Sequence, residues 1–529
     1  MTRKKLVLVI EAHQGYLRNS SAEGSFSARN SILFSAITDT YIPMLNMFCR
    51  LEKDGIPFKI ALVISPVLCS LLSDPYIHEQ YISHLDSLIA LGKSETERQK
   101  SAGCAEQAAS CLAAIEQAKH DFTQTYGCNL LETVQRFVRK GCIELIPTAA
   151  TYAYLPHYAD FPEAVNAQIE TGLYSQRQFF GDSGEGFWLP YMGWAKDLDR
   201  AIRSYGQNYA LVDARALLFS KECPETGIFS PVRTRTSLAL FGCDPDTPRD
   251  IAGEDGFSSG EAYRSQNHDI GFELQTEEAE AFFGKGEARI QTGYKYWSNA
   301  SDDRTPVPYC AEEARKQIIK DAIQFYESKL KKLDEAAEYM KEENAVLVCA
   351  IPAELLGQTW HEGVEWLENV IRCADAKKGF DFELCRNLIE NQFSLPKISP
   401  YPCSSNGLGY GEDLLDSTNS WMMRYVRKAT DRMIDLTGRF PSETSLKERL
   451  LNMAAKQVLL AQSGEWPMMI HDGKFPGHAE ELFKEEILSF SKVFDSLASN
   501  TVSTEWLTLC EKRNALFPWL NYRIFSRKK

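Results

Sequence analysis

Six short apolar runs, residues 5–10, 58–64, 143–147, 187–190, 209–212 and 345–351, punctuate the first 370 residues of the chain. Each is too short for a core helix and rich in the aliphatic residues of strands buried on both faces. Longer stretches of helical period, such as 31–51 and 164–180, lie between them. Strands that alternate with helices fold as βα units, so a parallel sheet or barrel is predicted. Residues 95–140 are rich in Ala, Glu, Gln and Lys with few turn signals, which predicts a helical insertion between two strands. Beyond Pro396 the pattern changes: 421–436, 445–463 and 478–498 all show helical spacing, and strand-like runs stop. The expected organisation is a barrel domain over 1–396 and a helical C-terminal domain over 397–529. The connector is Ser399-Pro400-Tyr401-Pro402, where two prolines forbid a continuing helix.

Composition narrows the function classes. The 529 residues carry 58 Lys and Arg against 72 Asp and Glu, a formal charge of −14. Nucleic-acid binding needs a concentrated basic surface, and no basic block exceeds Lys4-Lys5 or Arg527-Lys528-Lys529. At the N-terminus, Leu6-Val7-Leu8-Val9-Ile10 is too short for the apolar region of a signal peptide and reads as a buried strand. No run is expected to reach the roughly 18 apolar residues that cross a bilayer. The 14 cysteines show no CxxC pair and no metal-ligand spacing, which fits reduced thiols in a cytoplasmic protein without metal or cofactor.

In a β/α barrel the reactive side chains stand at the C-terminal ends of the strands. The runs here end in Glu11-Ala12-His13-Gln14, Glu144-Leu145-Ile146-Pro147-Thr148, Trp188-Leu189-Pro190-Tyr191, Val212-Asp213-Ala214-Arg215 and Ile351-Pro352-Ala353-Glu354. Polar residues end most strands, so the set is more informative than any member.

Taken in order, these segments resemble glycoside hydrolase family 57 of the 1,4-α-glucan branching enzyme type. His13-Gln14-Gly15-Tyr16-Leu17-Arg18, Gly141-Cys142-Ile143-Glu144-Leu145, Gly186-Phe187-Trp188-Leu189-Pro190 and Glu354-Leu355-Leu356-Gly357 are similar to its successive motifs. Tyr263-Arg264, His268-Asp269-Ile270-Gly271-Phe272, Thr292-Gly293-Tyr294-Lys295-Tyr296 and Ser463-Gly464-Glu465-Trp466-Pro467 continue the match. The resemblance implies a seven-stranded β/α barrel closed by a helical domain. It also implies a retaining mechanism, with a glutamate nucleophile and an aspartate acid/base about 5–5.5 Å apart.

The sequence departs from the family pattern where that chemistry lives. The nucleophile position of Trp-Leu-Pro-Glu is Tyr191, and the acid/base position two residues before Glu354 is Pro352. Glu11, Tyr152, Arg215, Cys243, Asn406, Gln358 and Glu465 replace other cleft residues of the pattern. Strand, proline and glycine positions match while the charged positions do not, which predicts a retained fold whose glycosidic site is dismantled. Tyrosine, with a phenol pKa near 10, is a poor nucleophile at neutral pH without an activating base. Glu354, Glu11 and Glu144 are the candidate substitute carboxylates at the barrel mouth, although hydrogen-bonded carboxylates holding the strand ends are favoured. His13, Trp194, Asp213, Trp360 and Glu465 are the expected substrate-binding residues, while Trp188 and Trp466 are expected to pack in the core. The expected partner is an α-1,4-glucan or a protein of glycogen metabolism. Catalysis through relocated carboxylates is the alternative.

Overall fold

The computed structural model describes residues 4–18, 28–283, 289–301, 306–340, 344–389, 391–499, 501 and 503–527, so Lys528 and Lys529 of the basic terminus lie outside the described residues. Among the described residues nine strands form the sheet: β1 (Lys4–Ala12), β2 (Ile60–Ile64), β3 (Ile143–Leu145), β4 (Gly186–Trp188), β5 (Tyr209–Asp213), β6 (Val232–Arg233), β7 (Ala239–Cys243), β8 (Ala345–Pro352) and β9 (Asp381–Phe382). Seven run parallel in the order β3-β2-β1-β8-β7-β5-β4, while β6 lies antiparallel on β7 and β9 joins β1. The two ends of that order meet. The Trp188 amide donates to the Pro147 carbonyl (2.8 Å), and Thr148 Oγ1 donates to the Trp188 carbonyl (2.9 Å). The sheet is therefore a closed seven-stranded barrel.

The two-residue period of a strand divides each run between two cores. In β1, Val7 and Val9 point into the barrel with Ala61, Val63, Tyr209, Leu211, Phe241 and Val348. Leu6, Leu8 and Ile10 point outward into the layer of helices. The interior is stoppered at its N-terminal end by Cys385 and Ile389, and at its C-terminal end it reaches Tyr152 and Tyr191.

The helical stretch expected over 95–140 consists of Pro75–Ala102, which packs on Ala105–His120, and Leu130–Arg139, which belongs against β3. The span Asn30–Lys53 is apolar and long enough to cross a membrane by composition alone, contrary to expectation. Leu33, Phe34, Met44, Leu45, Phe48 and Leu51 are instead buried in the outer core of the barrel. Beyond residue 420 come the helices Trp421–Arg439, Ser445–Ala461, Glu465–His471, Pro476–Ser499 and Thr504–Arg513. They reach the barrel mouth where the Gly464 amide meets the Tyr152 carbonyl at 3.3 Å.

Candidate active site

The side chains that gather at the C-terminal end of the barrel come from four places. Glu11 and His13 leave β1, Tyr191 follows β4, Glu354 follows β8, and Glu465 opens a helix of the C-terminal region. Parallel strands deliver their ends to one rim, so this convergence follows from topology. In register, Glu11 stands opposite Pro352. Pro352 is exposed at the rim and carries no proton to give.

His13 is the centre of the cluster. Its amide donates to Glu354 Oε1 (3.1 Å), and its Nδ1 shares a hydrogen bond with Ser65 Oγ (2.9 Å). Its Nε2 lies 3.3 Å from Glu465 Oε2 but out of line for a hydrogen bond. The imidazole stacks on Tyr152, with centroids 4.0 Å apart and planes 13° apart. Tyr152 in turn meets Tyr191 edge to face at 5.2 Å and accepts the Trp188 indole N–H at 2.9 Å. Tyr191 itself sits in left-handed backbone, φ 56° and ψ 21°, an unfavourable region for a bulky residue. Its carbonyl is held by the Ser405 amide and by the hydroxyls of Ser404 and Ser405. Gly464 allows its ring in, since a Cβ there would stand 2.4 Å from the tyrosine ring.

Electrostatics follow from the crowding of carboxylates in a nearly dry site. Burial, then the negative charge of Glu354, push Glu11 up to about 8, with Glu465 adding to the rise and a hydrogen bond with Tyr152 opposing it. Glu11 Oε1 is buried with no hydrogen-bond partner. Burial also raises Glu354, against hydrogen bonds from the Tyr41 hydroxyl and the His13 amide. The Tyr191 phenol is held far above its ordinary range by burial, then by Glu465 and Glu11. The Tyr191 phenol therefore favours its neutral form near neutral pH.

Three sequence expectations are corrected. Glu144 is not at the mouth: it pairs in register with Ala61, which lies beside Val9, two residues below Glu11. There it accepts from Tyr209 OH (2.6 Å) and from the Arg386 amide, at the stoppered end of the barrel. Trp194 and Trp360 are not cleft platforms; both are core residues, Trp360 against Tyr263 and Trp366. Trp188 and Trp466 are packed as expected, the Trp466 indole donating to the Leu460 carbonyl. Asp213 lies at a strand end, where it caps the short helix Ala214–Leu218 through the Arg215 amide and faces the Arg215 guanidinium at 3.4 Å. Arg215 reaches on to the Ser404 carbonyl and so ties down the loop that holds Tyr191. Tyr41 and Ser65, which orient Glu354 and His13, were not singled out from the sequence. Both lie in segments that match the family, Thr40-Tyr41-Ile42-Pro43 and Ile64-Ser65-Pro66.

The profile described as glycosyl hydrolase family 57 matches residues 7–398, most of the chain. The chain belongs to glycosyl hydrolase family 57. A second profile, the C-terminal domain of 1,4-alpha-glucan branching enzyme, matches residues 425–525, making this a branching-enzyme-like member of the family. The 1,4-alpha-glucan branching enzyme TK1436 of Thermococcus kodakarensis is 23% identical over 527 residues, covering 94% of this chain and 74% of that protein. Among solved structures, the alpha-amylase AmyC of Thermotoga maritima superposes with a TM-score of 0.91 at 28% identity, covering all of both chains. The family 57 branching enzyme of Pyrococcus horikoshii superposes with a TM-score of 0.87 at 20% identity, covering 99% of this chain and 97% of that one.

Proposed function

We propose that this chain is a non-catalytic, branching-enzyme-like protein of α-glucan metabolism that uses the family cleft to bind an α-glucan without transferring it. The observation that carries this reading is the pair Tyr191 and Pro352 at the ends of β4 and β8, where the family pattern supplies its two carboxylates. A retaining reaction needs one ionised carboxylate to attack and one protonated carboxyl to give its proton. A neutral phenol and a proline supply neither, and without a nucleophile no glycosyl-enzyme forms. Binding is supported by what stays unsatisfied at the mouth: Glu11 Oε1 and His13 Nε2 lack hydrogen-bond partners, and sugar hydroxyls satisfy both.

The test is incubation with amylose, following iodine colour and new reducing ends together, with an active family member as control. The expected result is no change in either, together with retention on immobilised amylose. Colour loss without reducing ends would mean branching, and colour loss with them hydrolysis; either overturns the reading. Absence of retention would leave a protein partner as the occupant of the cleft.

One observation favours a second reading, catalysis by relocated carboxylates. Glu11 is held as a carboxylic acid up to about 8 beside Glu354, as a general acid requires. Glu354, however, is already tied by Tyr41 and His13. If amylose is consumed, Glu11→Gln and Glu354→Gln should each abolish turnover; unchanged rates in both would end this alternative.

A further inference from the structure

A cavity of about 320 Å³ opens among the outer helices of the barrel, and the glucan reading makes no use of it. It lies between the π-helical turn Ile37–Tyr41, the helix Ala105–His120, the segments 264–266 and 291–295, and the start of the helix Gly363–Lys377. Two deeply buried cations line it, Arg264 and Lys295, only 7% and 6% exposed, and Arg50 stands at its rim. Both belong to segments that carry the family resemblance and that the barrel mouth leaves unused.

Buried cations are costly unless paired. Among the described residues, neither Arg264 nor Lys295 has a carboxylate within 4.0 Å. Arg264 Nε is buried with no hydrogen-bond partner, and its Nη1 reaches only the Cys111 thiol, at 3.7 Å. The guanidinium lies 4.5 Å over the Tyr309 ring, which fixes its plane. Among the described residues, Lys295 Nζ has only the Gln266 side-chain oxygen as a hydrogen-bond partner.

The surrounding carboxylates have hydrogen-bond partners of their own, except for Glu362 Oε2, which is buried without one. Asp269 accepts the amides of Gly271, Thr292 and Gly293 and the Thr292 hydroxyl. Glu362 accepts the Arg264 amide, and Asp121 accepts the Asn46 and Gln117 side chains. Arg50 at the rim is taken by Glu368. His361 is neutral, driven well below its ordinary range by burial and then by Arg264 and Lys295. Two further carboxyls line the cavity: Glu365, half exposed at its edge and 3.8 Å from the Arg315 guanidinium, and Asp39, which burial raises to about 6 against the pull of Lys295 and Arg264.

We propose that this cavity binds the phosphate group of a small phosphorylated polyol, with Arg264 and Lys295 on the oxyanion and Asp39 accepting a hydroxyl. A planar guanidinium with a free Nε beside an ammonium matches the oxygens of a phosphate monoester. The volume suits a ligand of one sugar ring rather than a glucan chain. The turn that presents Asp39 also carries Tyr41, whose hydroxyl donates to Glu354 at the barrel mouth. π-helical turns inside longer helices recur at functional sites.

The test is calorimetric titration of the full chain with inorganic phosphate, glucose 6-phosphate and, as the uncharged control, glucose. The two phosphate probes should bind and glucose should not. Lys295→Gln should weaken both at least about tenfold, while Lys295→Arg keeps them. Asp39→Asn, which removes the opposing negative charge, should tighten inorganic phosphate and narrow the advantage of glucose 6-phosphate over it. No binding of either phosphate probe at millimolar concentration overturns the proposal. So does glucose binding as well as glucose 6-phosphate, or affinity indifferent to both Asp39→Asn and Lys295→Gln in folded protein. None of these outcomes depends on the amylose result.

Discussion

Glu11 makes stability fall with rising pH, and Glu11→Gln should remove that dependence. A carboxyl whose pKa is about 8 in the folded protein, against an ordinary 4.5, binds a proton more tightly folded than unfolded. Its contribution is intact below about pH 4.5 and declines as pH rises through the interval up to about 8. Each pH unit in that interval costs about 1.4 kcal/mol, so about 3 kcal/mol has gone by pH 7. Glutamine keeps the shape of the neutral acid and cannot ionise. Urea unfolding followed by tryptophan fluorescence at pH 5, 6, 7 and 8 reads the effect directly. The wild-type midpoint should fall steadily across the series, while the Glu11→Gln midpoint stays nearly level and lies above wild type from pH 6 upward. A wild-type midpoint that stays flat or rises, with the variant no different, would refute the crowding of Glu11 by Glu354 and Glu465 in a dry mouth.

Trp360→Ala should lower stability by about 3–5 kcal/mol, because a fully buried indole between Tyr263 and Trp366 leaves a cavity that cannot collapse. Retention on amylose should be unchanged in the folded fraction; selective loss of retention would return Trp360 to the cleft. Asp213→Ala removes a helix cap and a facing charge, and should cost about 1 kcal/mol in thermal or urea unfolding. A loss of amylose retention with unchanged stability would instead make Asp213 a contact residue.

The barrel was legible because six of its seven parallel strands are short aliphatic runs between helical stretches, and such a pattern has few folded solutions. The seventh, β7 (Ala239–Cys243), is hidden among polar residues, and Gly242 weakens it as a strand. Which residues reach the mouth was harder to read. Glu144 and Glu11 both follow apolar positions, yet register places Glu144 a layer lower, where it hydrogen-bonds Tyr209 at the stoppered end. Register depends on neighbours distant in the chain, so local sequence does not carry it. Trp194 and Trp360 failed for a related reason, since an indole near a strand end serves a core or a cleft equally well until the packing is known.

The residues that depart from the family pattern touch one another. Tyr152 stacks on His13, meets the Tyr191 ring and hydrogen-bonds with Glu11, while Glu465 faces His13. Replacements that interlock in this way behave as a unit, and restoring one alone disturbs the others. Tyr191→Glu by itself would put a new carboxylate against Glu465 and Glu11, whose charges already repel ionisation at that position. It should therefore destabilise the protein more at pH 8 than at pH 5, where carboxyls in such a site are protonated, and restore no turnover of amylose. Adding Pro352→Asp returns the second family carboxylate but leaves Glu11 and Tyr152 in place of the pattern's residues, so the double variant should also stay inactive. Turnover by Tyr191→Glu alone would mean that the remaining cleft is still arranged for the reaction, and that only the nucleophile was lost.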